Sequence, residues 1–415
     1  MILKSRGLFI YLLVILTTFL SCKVNNVEKS LLYRIVVPIT GKHYHKKWFF
    51  SGSTGNETTT IPFEIINGWI VIKVKFDDQD NYYRFVFDTG AVTSIELEIA
   101  RELNLPSLMD FTTTDLNGVK HPANLINLKK LIIGGRTFLK VGALSSHTDL
   151  FTCYDIKGIF GYNLIGDASF RINFKNQTIT ITNQRNYFNS DDFHSVKITT
   201  DWKRVMYVSL KTENQKKKIV VDTGAPNYLI LNNAWKPELN EEHLLQKRLQ
   251  YISAASSSIF DTLSTYKAHN LRLDNLPLDK DVFILTKANS VIGKGFLEGF
   301  EEVIIDMKKN RLYLSKMEIE KTGTTKLLNF NMDWKDGAVR ITGLTIDSEL
   351  QKMGIKMYDQ VVSINNVDTS IFQDVCAYRT FETAANIFKN DMKLAILREG
   401  QRYDYVISKA TMYDE

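Results

Sequence analysis

The sequence predicts a mainly β protein that contains two copies of one folding unit, followed by a smaller segment that mixes helix and strand. Short runs rich in β-branched and aromatic residues, such as 69–76 and 206–210, are bounded by Asp, Asn and Gln turns. Three sequence features also recur in one order at nearly one spacing, which is typical of a duplicated unit. At 415 residues and 44% hydrophobic content, the chain is long enough for two or three globular domains.

The repeat is clearest at an Asp-Thr-Gly-Ala turn. Residues 85–91 (FVFDTGA) return as 219–225 (IVVDTGA), an offset of 134 (222 − 88). An apolar element ending in glycine, at 158–165, returns at 290–297 with an offset of 132 (293 − 161). A hairpin strand at 170–174 returns at 303–307 with an offset of 133 (305 − 172). We therefore divide this part of the chain into a first repeat (61–188) and a second repeat (189–318).

Local patterns predict the remaining elements. A short helix is expected at 96–104, and the last hairpin of each repeat should turn at 175–177 or 308–310. The C-terminal segment (319–415) shows no third copy. In it we expect strands at 339–341, 361–364, 393–397 and 403–407, and helices at 348–353 and 383–389.

The N-terminus has the layout of a secretory signal. Lys4 and Arg6 precede an apolar run from Leu8 to Leu20, which is shorter than the roughly 20 residues of a membrane-spanning helix. Ser21-Cys22 resembles a bacterial lipobox, so residues 1–22 are predicted to be a signal peptide with lipidation at Cys22. A plain signal peptide with an incidental cysteine is the alternative. Residues 23–60 then form either a tether from the anchor or a segment that lies in the substrate cleft.

Composition argues against several other classes of function. The net charge of +6 is spread without a long basic block, so nucleic acid is not an expected partner. Metal-binding HExxH or CxxC spacings, GxSxG and GxxxxGK[ST] are all missing from the sequence, which indicates no metal or cofactor. Cys153 and Cys376 lie far apart in predicted different domains, so we expect no disulfide framework.

The duplicated turn carries the chemistry. A strand ending in Asp-Thr-Gly holds its carboxylate rigidly, and Gly90 and Gly224 allow a tight turn beneath it. The Thr89 and Thr223 hydroxyls can bond across to the opposite turn. Two carboxylates brought face to face share one proton, so one of Asp88 and Asp222 acts as a base on water and the other as an acid.

A single Asp-Thr-Gly is more often a turn cap than a catalytic residue. Duplication of the turn, its strand and its downstream glycine element favours catalysis by Asp88 and Asp222. Ala91 and Ala225 stand where some aspartic peptidases carry a hydroxyl that stabilises the ionised pair. Activity should therefore lie at a less acidic pH than that of a digestive enzyme.

These motifs resemble those of retropepsin-like and pepsin-like aspartic proteases, specifically bacterial two-lobed lipoproteins with a C-terminal PDZ-like domain. The resemblance implies a pair of acid-protease β-barrels at 61–188 and 189–318 and a small PDZ-like α+β domain at 319–415. It places catalysis on Asp88 and Asp222. It also makes Gly161 and Gly293 the braces beneath the two turns.

The resemblance further implies a mobile flap. Asp115 to Gly118 gives the candidate tip, with Asn117 and Gly118 at its end, and Ser256 to Ser258 is the corresponding place in the second repeat. Whether one flap or two covers the cleft stays open. The PDZ loop should lie near Leu327 to Phe330, where glycines are absent, so strand addition of free C-termini is in doubt. A structural and a substrate-guiding role are equally compatible with this segment.

The sequence thus predicts a monomeric aspartic endopeptidase of the bacterial cell envelope, lipid-anchored on its periplasmic or outer-membrane face. Its substrate would be an extended peptide or protein segment, and the PDZ-like domain could hold a second peptide ligand. The alternative is a catalytically silent envelope lipoprotein that uses the cleft and the PDZ-like domain as receptor surfaces. Pairing of each repeat with another molecule is disfavoured because one chain supplies both halves.

Overall fold

The structure is a computed structural model that describes residues 52–54, 58–76, 79–115, 117–166, 168–254, 257–267, 270–278, 281–285, 289–315 and 327–414. The predicted signal peptide, the lipidation residue Cys22 and nearly all of the predicted tether lie outside these residues, as does Ser256. No helix in the described ranges has the length and apolar content needed to cross a membrane.

Most of the described chain is β-strand, as the sequence predicts. The strands and helices up to the end of the first repeat are β1 (Gly52–Thr54), β2 (Thr59–Pro62), β3 (Glu64–Ile66), β4 (Trp69–Phe76), β5 (Tyr83–Phe87), β6 (Ser94–Glu96), α1 (Leu97–Glu102), β7 (Met109–Thr114), β8 (Lys120–Ile133), β9 (Arg136–Ser146), β10 (Ile156–Phe160), α2 (Tyr162–Ile165), β11 (Ser169–Asn173) and β12 (Thr178–Thr182).

The second repeat runs through an equivalent series. Its elements are β13 (His194–Lys197), β14 (Thr199–Thr200), β15 (Met206–Lys211), β16 (Lys216–Asp222), β17 (Leu229–Asn232), β18 (Leu244–Ala254), β19 (Ser257–Lys267), β20 (Leu271–Leu273), β21 (Leu276–Leu278), β22 (Asp281–Leu285), β23 (Val291–Gly293), α3 (Lys294–Leu297), β24 (Glu302–Asp306) and β25 (Arg311–Leu314).

The C-terminal segment mixes both kinds of element. They are β26 (Leu327–Leu328), β27 (Phe330–Lys335), β28 (Ala338–Thr345), α4 (Glu349–Lys352), β29 (Gln360–Ile364), β30 (Val367–Asp368), α5 (Val375–Ala385), β31 (Met392–Arg398), β32 (Gln401–Ile407), α6 (Lys409–Met412) and β33 (Tyr413–Asp414). Short 3₁₀ turns lie at Asp149–Phe151, Asn233–Glu238, Glu241–His243 and Thr369–Ile371.

One sheet joins the two repeats, in the order β13-β25-β24-β11-β12-β2. Its two central strands, β11 and β24, are the strands that recur in the sequence, and they run antiparallel with Ile172 opposite Val303. Their apolar side chains, including Phe170 and Ile305, are fully buried in a core to which both repeats contribute. Burial of these side chains, at about 25 cal/mol per Å² of apolar surface, holds the repeats together.

In each repeat the strand that leads to the Asp-Thr-Gly turn pairs in parallel with the strand before the brace glycine. In the first repeat β5 pairs with β10, and in the second β16 pairs with β23. Phe85, Val86 and Phe87 are all buried, as expected for a strand that is covered on both faces. These buried strands fix the position of the residue at which each turn starts.

The predicted position of the second helix in the C-terminal segment is wrong. We expected it at 383–389, whereas α5 spans Val375–Ala385. The Asp374 side chain caps its N-terminus by accepting from the Ala377 N–H at 2.8 Å. Asn386 ends it in the left-handed conformation, with φ of 45°. Those two capping residues set the bounds of the helix more strongly than the apolar pattern did.

The expectation that Cys153 and Cys376 stay unpaired is also wrong. They form a disulfide with a Cα–Cα distance of 5.0 Å that joins the first repeat to the start of α5. The prediction failed because residues separated by 223 positions in sequence can still lie next to each other in the folded chain. Two cysteines left over in a chain with a predicted secretory signal could have indicated the bond.

Candidate active site

The two Asp-Thr-Gly turns lie against each other. Asp88 follows β5, Asp222 ends β16, and each carboxyl group lies close enough to the other to shift its pKa. A Cβ atom added to Gly90 would lie 2.6 Å from Cγ of Asp222. One added to Gly224 would lie 2.2 Å from Oδ2 of Asp88. Only glycine therefore fits at these two positions, because each turn passes directly beside the opposite carboxyl group.

Backbone N–H groups hold one oxygen of each carboxyl group. The Gly90 and Ala91 N–H groups donate to Oδ1 of Asp88 at 2.7 and 3.0 Å. The Gly224 and Ala225 N–H groups donate to Oδ1 of Asp222 at 2.9 and 3.1 Å. The carboxyl groups are thus fixed acceptors, and their remaining oxygens are left to each other and to a reactant.

The threonines lock the two turns together by reciprocal hydrogen bonds. The Thr89 hydroxyl donates to the Val221 carbonyl at 2.6 Å and accepts from the Thr223 N–H at 3.1 Å. The Thr223 hydroxyl donates to the Phe87 carbonyl at 2.7 Å and accepts from the Thr89 N–H at 3.1 Å. Both side chains are fully buried. The four bonds relate the two turns by a near-twofold axis.

Gly161 and Gly293 lie directly beneath the turns. A Cβ on Gly161 would approach the Thr93 nitrogen to 2.3 Å, and one on Gly293 would approach the Asn227 oxygen to 2.2 Å. The residue after each glycine donates its N–H to the turn, Tyr162 to Ala91 and Lys294 to Ala225. Both glycines therefore lie where they support the alanine of the turn above them.

Burial raises the pKa of Asp88 above its ordinary value of 3.8, opposed by hydrogen bonds from Gly90, Asp222 and Ala91. Burial also raises the pKa of Asp222. The neighbouring charge of Asp88 raises it as well, so this pKa lies well above the ordinary value. Two carboxyl groups this close share one proton. Both side chains keep part of their surface accessible to solvent, so a water molecule can reach them.

The candidate flap of the first repeat is the tip of the hairpin β7–β8. Asn117 lies in this tip and is only 5% exposed. Its amide nitrogen donates to the Ile252 carbonyl at 2.9 Å and to the Ser257 hydroxyl at 3.0 Å. Gly118 has a φ of 78°, and a Cβ there would meet nothing within 4 Å. Asn117 thus contacts the second repeat. Gly118 supplies the positive φ that the turn at the hairpin tip adopts.

A second hairpin, β18–β19, receives the contact from Asn117. Ile252 of this hairpin packs against a small apolar cluster that contains Ala225 and Leu263. The hairpin therefore lies against the Asp222 turn, and its tip meets the tip of the first hairpin. The serine-rich stretch noted in the sequence contributes Ser257 to this meeting point.

The way in which the C-terminal segment reaches the site could not be predicted from the sequence. Strand β28 pairs antiparallel with β18, so the C-terminal segment continues the sheet of the second hairpin. No pattern in β28 or β18 indicates which strand either would pair with, because any exposed strand edge can accept a partner. These contacts depend on tertiary structure.

Comparisons with known proteins do not identify a family. No family model matches the chain, and no curated protein matches it. Among solved structures, the soybean basic 7S globulin matches with a TM-score of 0.37 and 8% identity over 65% of this chain and 98% of that one. Conglutin gamma, a basic 7S globulin from lupine seeds, matches with a TM-score of 0.36, 8% identity and the same coverage. At these scores neither structure assigns a function to this chain.

The predicted membership of a family of bacterial aspartic-protease lipoproteins with a PDZ-like domain is wrong by these comparisons. The two structures named above are seed globulins, and no family model of a protease or a PDZ domain matches the chain. The two turns and their contacts are properties of this chain's own residues, so any function assigned to the site must be argued from those residues.

Proposed function

We propose that this protein is an aspartic endopeptidase that hydrolyses peptide bonds with a water molecule activated by Asp88 and Asp222. One observation carries the proposal. Two carboxyl groups lie side by side in turns locked by reciprocal threonine bonds, and the pKa of Asp222 is raised well above that of an ordinary carboxyl group. A structural turn cap needs neither a partner carboxyl group nor a shared proton.

In the proposed reaction Asp88 is the base. It takes a proton from water as the water oxygen bonds to the carbonyl carbon of the substrate, and Asp222 gives its proton to the carbonyl oxygen. The tetrahedral intermediate then collapses: the amide nitrogen receives the proton held by Asp88, the C–N bond breaks, and one hydroxyl of the intermediate returns its proton to Asp222. This leaves a carboxylic acid and an amine and restores the starting state of the pair. We assign the resting proton to Asp222 because burial and the neighbouring charge of Asp88 both raise its pKa.

The two hairpins supply the substrate site in this proposal. Their tips meet through Asn117, and Ile252 packs beside the Asp222 turn. An extended peptide would lie between the hairpins and the carboxyl pair, and its backbone would pair with hairpin strands. The hairpins must separate to admit it, and their return would exclude bulk water from the reaction.

We also propose that the repeats form a pair of pepsin-like barrels, 61–188 and 189–318, and that 319–415 is a PDZ-like domain. The sheet shared by β11 and β24 supports the first proposal. The order β27-β28-α4-β29-α5-β31 supports the second. The Asn329 N–H already donates to the Met412 carbonyl, which favours a structural role over binding of free C-termini at this loop.

An exported, lipid-anchored monomer of the cell envelope remains our proposal for location. The disulfide Cys153–Cys376 supports export, because disulfides persist in oxidising compartments and are rare in the cytosol. Cys22 is the proposed lipidation site. Both carboxyl groups come from one chain, so the site is complete in a monomer.

The test uses the chain without residues 1–22, incubated with a diverse peptide mixture between pH 4 and 7.5, with products read by mass spectrometry. We expect cleavage by the parent and a loss of at least about 1,000-fold in both Asp88→Asn and Asp222→Asn. Asp201→Asn, outside the turns, is the control and should keep full activity. Absence of cleavage by folded parent protein would favour the peptide-binding alternative, which an affinity measurement with the same mixture would then examine.

A further inference from the structure

The C-terminal segment pairs with the β18–β19 hairpin along the outer edge of that hairpin. Leu249 of β18 lies opposite Leu344 of β28 in an antiparallel ladder. The Arg248 guanidinium donates to the Leu328 carbonyl at 3.0 Å, and the Ile346 N–H donates to the Lys247 carbonyl at 2.9 Å. The strand that faces the Asp222 turn is therefore also an internal strand of a sheet that continues into the C-terminal segment.

Aromatic contacts between the C-terminal segment and the hairpin continue toward the hairpin tip. The rings of Tyr251 and Tyr358 are 6.0 Å apart, and the Lys335 ammonium lies 4.2 Å from the centre of the Tyr251 ring. Tyr358 has a φ of 71°, a conformation that costs a bulky residue energy and persists only where its surroundings fix it. The Arg340 guanidinium, 4.7 Å from the centre of the Tyr358 ring, and the bond from the Tyr358 hydroxyl to Asp336 supply that restraint.

The same segment is fastened to the first repeat at a separate point. Cys376 on α5 is bonded to Cys153, and the neighbouring Tyr154 hydroxyl is hydrogen-bonded to Arg379. Arg379 in turn forms an ion pair with Asp333 of β27 at 3.2 Å. Both cysteines are half-buried, so a small thiol can reach the disulfide.

These contacts connect the first repeat, the C-terminal segment and the second hairpin in a closed loop. The first repeat holds the C-terminal segment through the disulfide, the C-terminal segment holds β18, and the tip of that hairpin returns to the first repeat through Asn117. Movement of the second hairpin away from the carboxyl pair must therefore either break the β18–β28 ladder or carry the C-terminal segment with it.

We propose that the C-terminal segment positions the β18–β19 hairpin over the carboxyl pair, with Tyr251 as the positioning residue and the Cys153–Cys376 disulfide as its redox-sensitive anchor. A dithiol reductant would donate two electrons and two protons to the disulfide, leaving two cysteine thiols and an oxidised, cyclic disulfide of the reductant. Release of the anchor frees the hairpin and the segment to move together. This inference rests on the proposed function for its kinetic part only.

The experiment measures hydrogen exchange across residues 250–260 and peptide-cleavage kinetics in the oxidised protein and after dithiol reduction, with thiols counted in each sample. Reduction should speed exchange in this hairpin and raise KM about tenfold, with kcat changed much less, because hairpin position governs substrate binding. The Cys153→Ser/Cys376→Ser double variant should match the reduced protein in both readouts and be insensitive to the reductant.

Tyr251→Ala should give the same rise in KM and faster exchange with the disulfide intact, and Tyr251→Phe should restore both, since the ring alone makes the contacts with Tyr358 and Lys335. Thermal unfolding identifies any variant that fails to fold. Unchanged exchange in 250–260 after complete reduction would overturn the proposal. If reduction speeds exchange in residues 250–260 but the parent protein cleaves no peptide, the positioning role is supported and the endopeptidase proposal is overturned.

Discussion

The two repeats place their Asp-Thr-Gly turns by matching contacts but hold their hairpins in different ways. The two backbone bonds to Oδ1 of Asp88 match the two bonds to Oδ1 of Asp222 to within 0.2 Å. By contrast, β7 pairs only with β8 among the described strands, whereas β18 pairs with both β19 and β28. The two acids are held symmetrically, while the parts that enclose them are not.

After replacement of the carboxyl groups themselves, the largest effect should come from the turn glycines, which test how strict the symmetry is. Gly90→Ala and Gly224→Ala each drive a Cβ into the opposite carboxyl group, so we expect each to reduce peptide cleavage by about 100-fold or more. Gly299→Ala is the control, because its nearest neighbour would lie 3.2 Å away. Kinetics on the three purified variants measures this. An effect confined to one turn would show that the two acids are not equally constrained.

Removal of the reciprocal hydrogen bonds of Thr89 and Thr223 should give the next largest effect, which is a loss of stability. Thr89→Val and Thr223→Val each leave a buried N–H and a buried carbonyl without their partners, so each should lower the free energy of unfolding by about 2–3 kcal/mol. Thr60→Val changes an exposed hydroxyl and should lower it by less than about 0.5 kcal/mol. Denaturant unfolding gives all three values. Unequal losses in the two buried variants would show that the turns are not equivalent.

A smaller effect is expected where the C-terminal segment meets the first repeat. Burial, with the nearby charge of Asp333, raises the pKa of Glu382 to about 7, while Arg379 opposes the rise. Because the pKa of the folded state is raised, the protonated group favours folding below about pH 4.5 and that contribution is lost as pH rises through 7.

The Glu382→Gln variant should therefore be more stable than the parent at pH 8, by roughly 1 kcal/mol after allowance for solvent screening, and equal to it at pH 4.5. Thermal unfolding at the two pH values provides the comparison. A variant that loses stability at pH 8 would show that the Glu382 charge is compensated by Arg379. Glu399→Gln, on an exposed turn, serves as the control.

The smallest effect should be a shift in the pH profile of cleavage. The raised pKa of Asp88 means that the base is lost as pH falls toward that value, so the acid limb of kcat/KM should lie above pH 3.8. Ala91→Ser and Ala225→Ser each add a hydroxyl donor that favours the ionised pair, and should move this limb to lower pH by less than about one unit. A limb below pH 3.8 in the parent would contradict the expected effect of burial.

The repeated parts of this protein are encoded in its sequence alone. Two copies of an apolar strand, a turn and a brace glycine predicted that Asp88 and Asp222 would meet and that Thr89 and Thr223 would bond across. These contacts could be predicted because they are short-range consequences of a local motif and one symmetry axis. The strand pattern likewise predicted most of β4, β15 and the β31–β32 hairpin, because runs of β-branched and aromatic residues favour strand locally.

Features that occur once depend on the tertiary structure. The Cys153–Cys376 bond, the β18–β28 ladder and the contact of Asn117 with Ile252 each join residues more than 90 positions apart. None of these contacts involves a duplicated motif, so no repeat in the sequence indicates it. The sequence of an exposed strand edge also does not specify which strand will pair with it. The symmetry of the turns follows from local sequence, whereas the enclosure around them depends on how the C-terminal segment packs against both repeats.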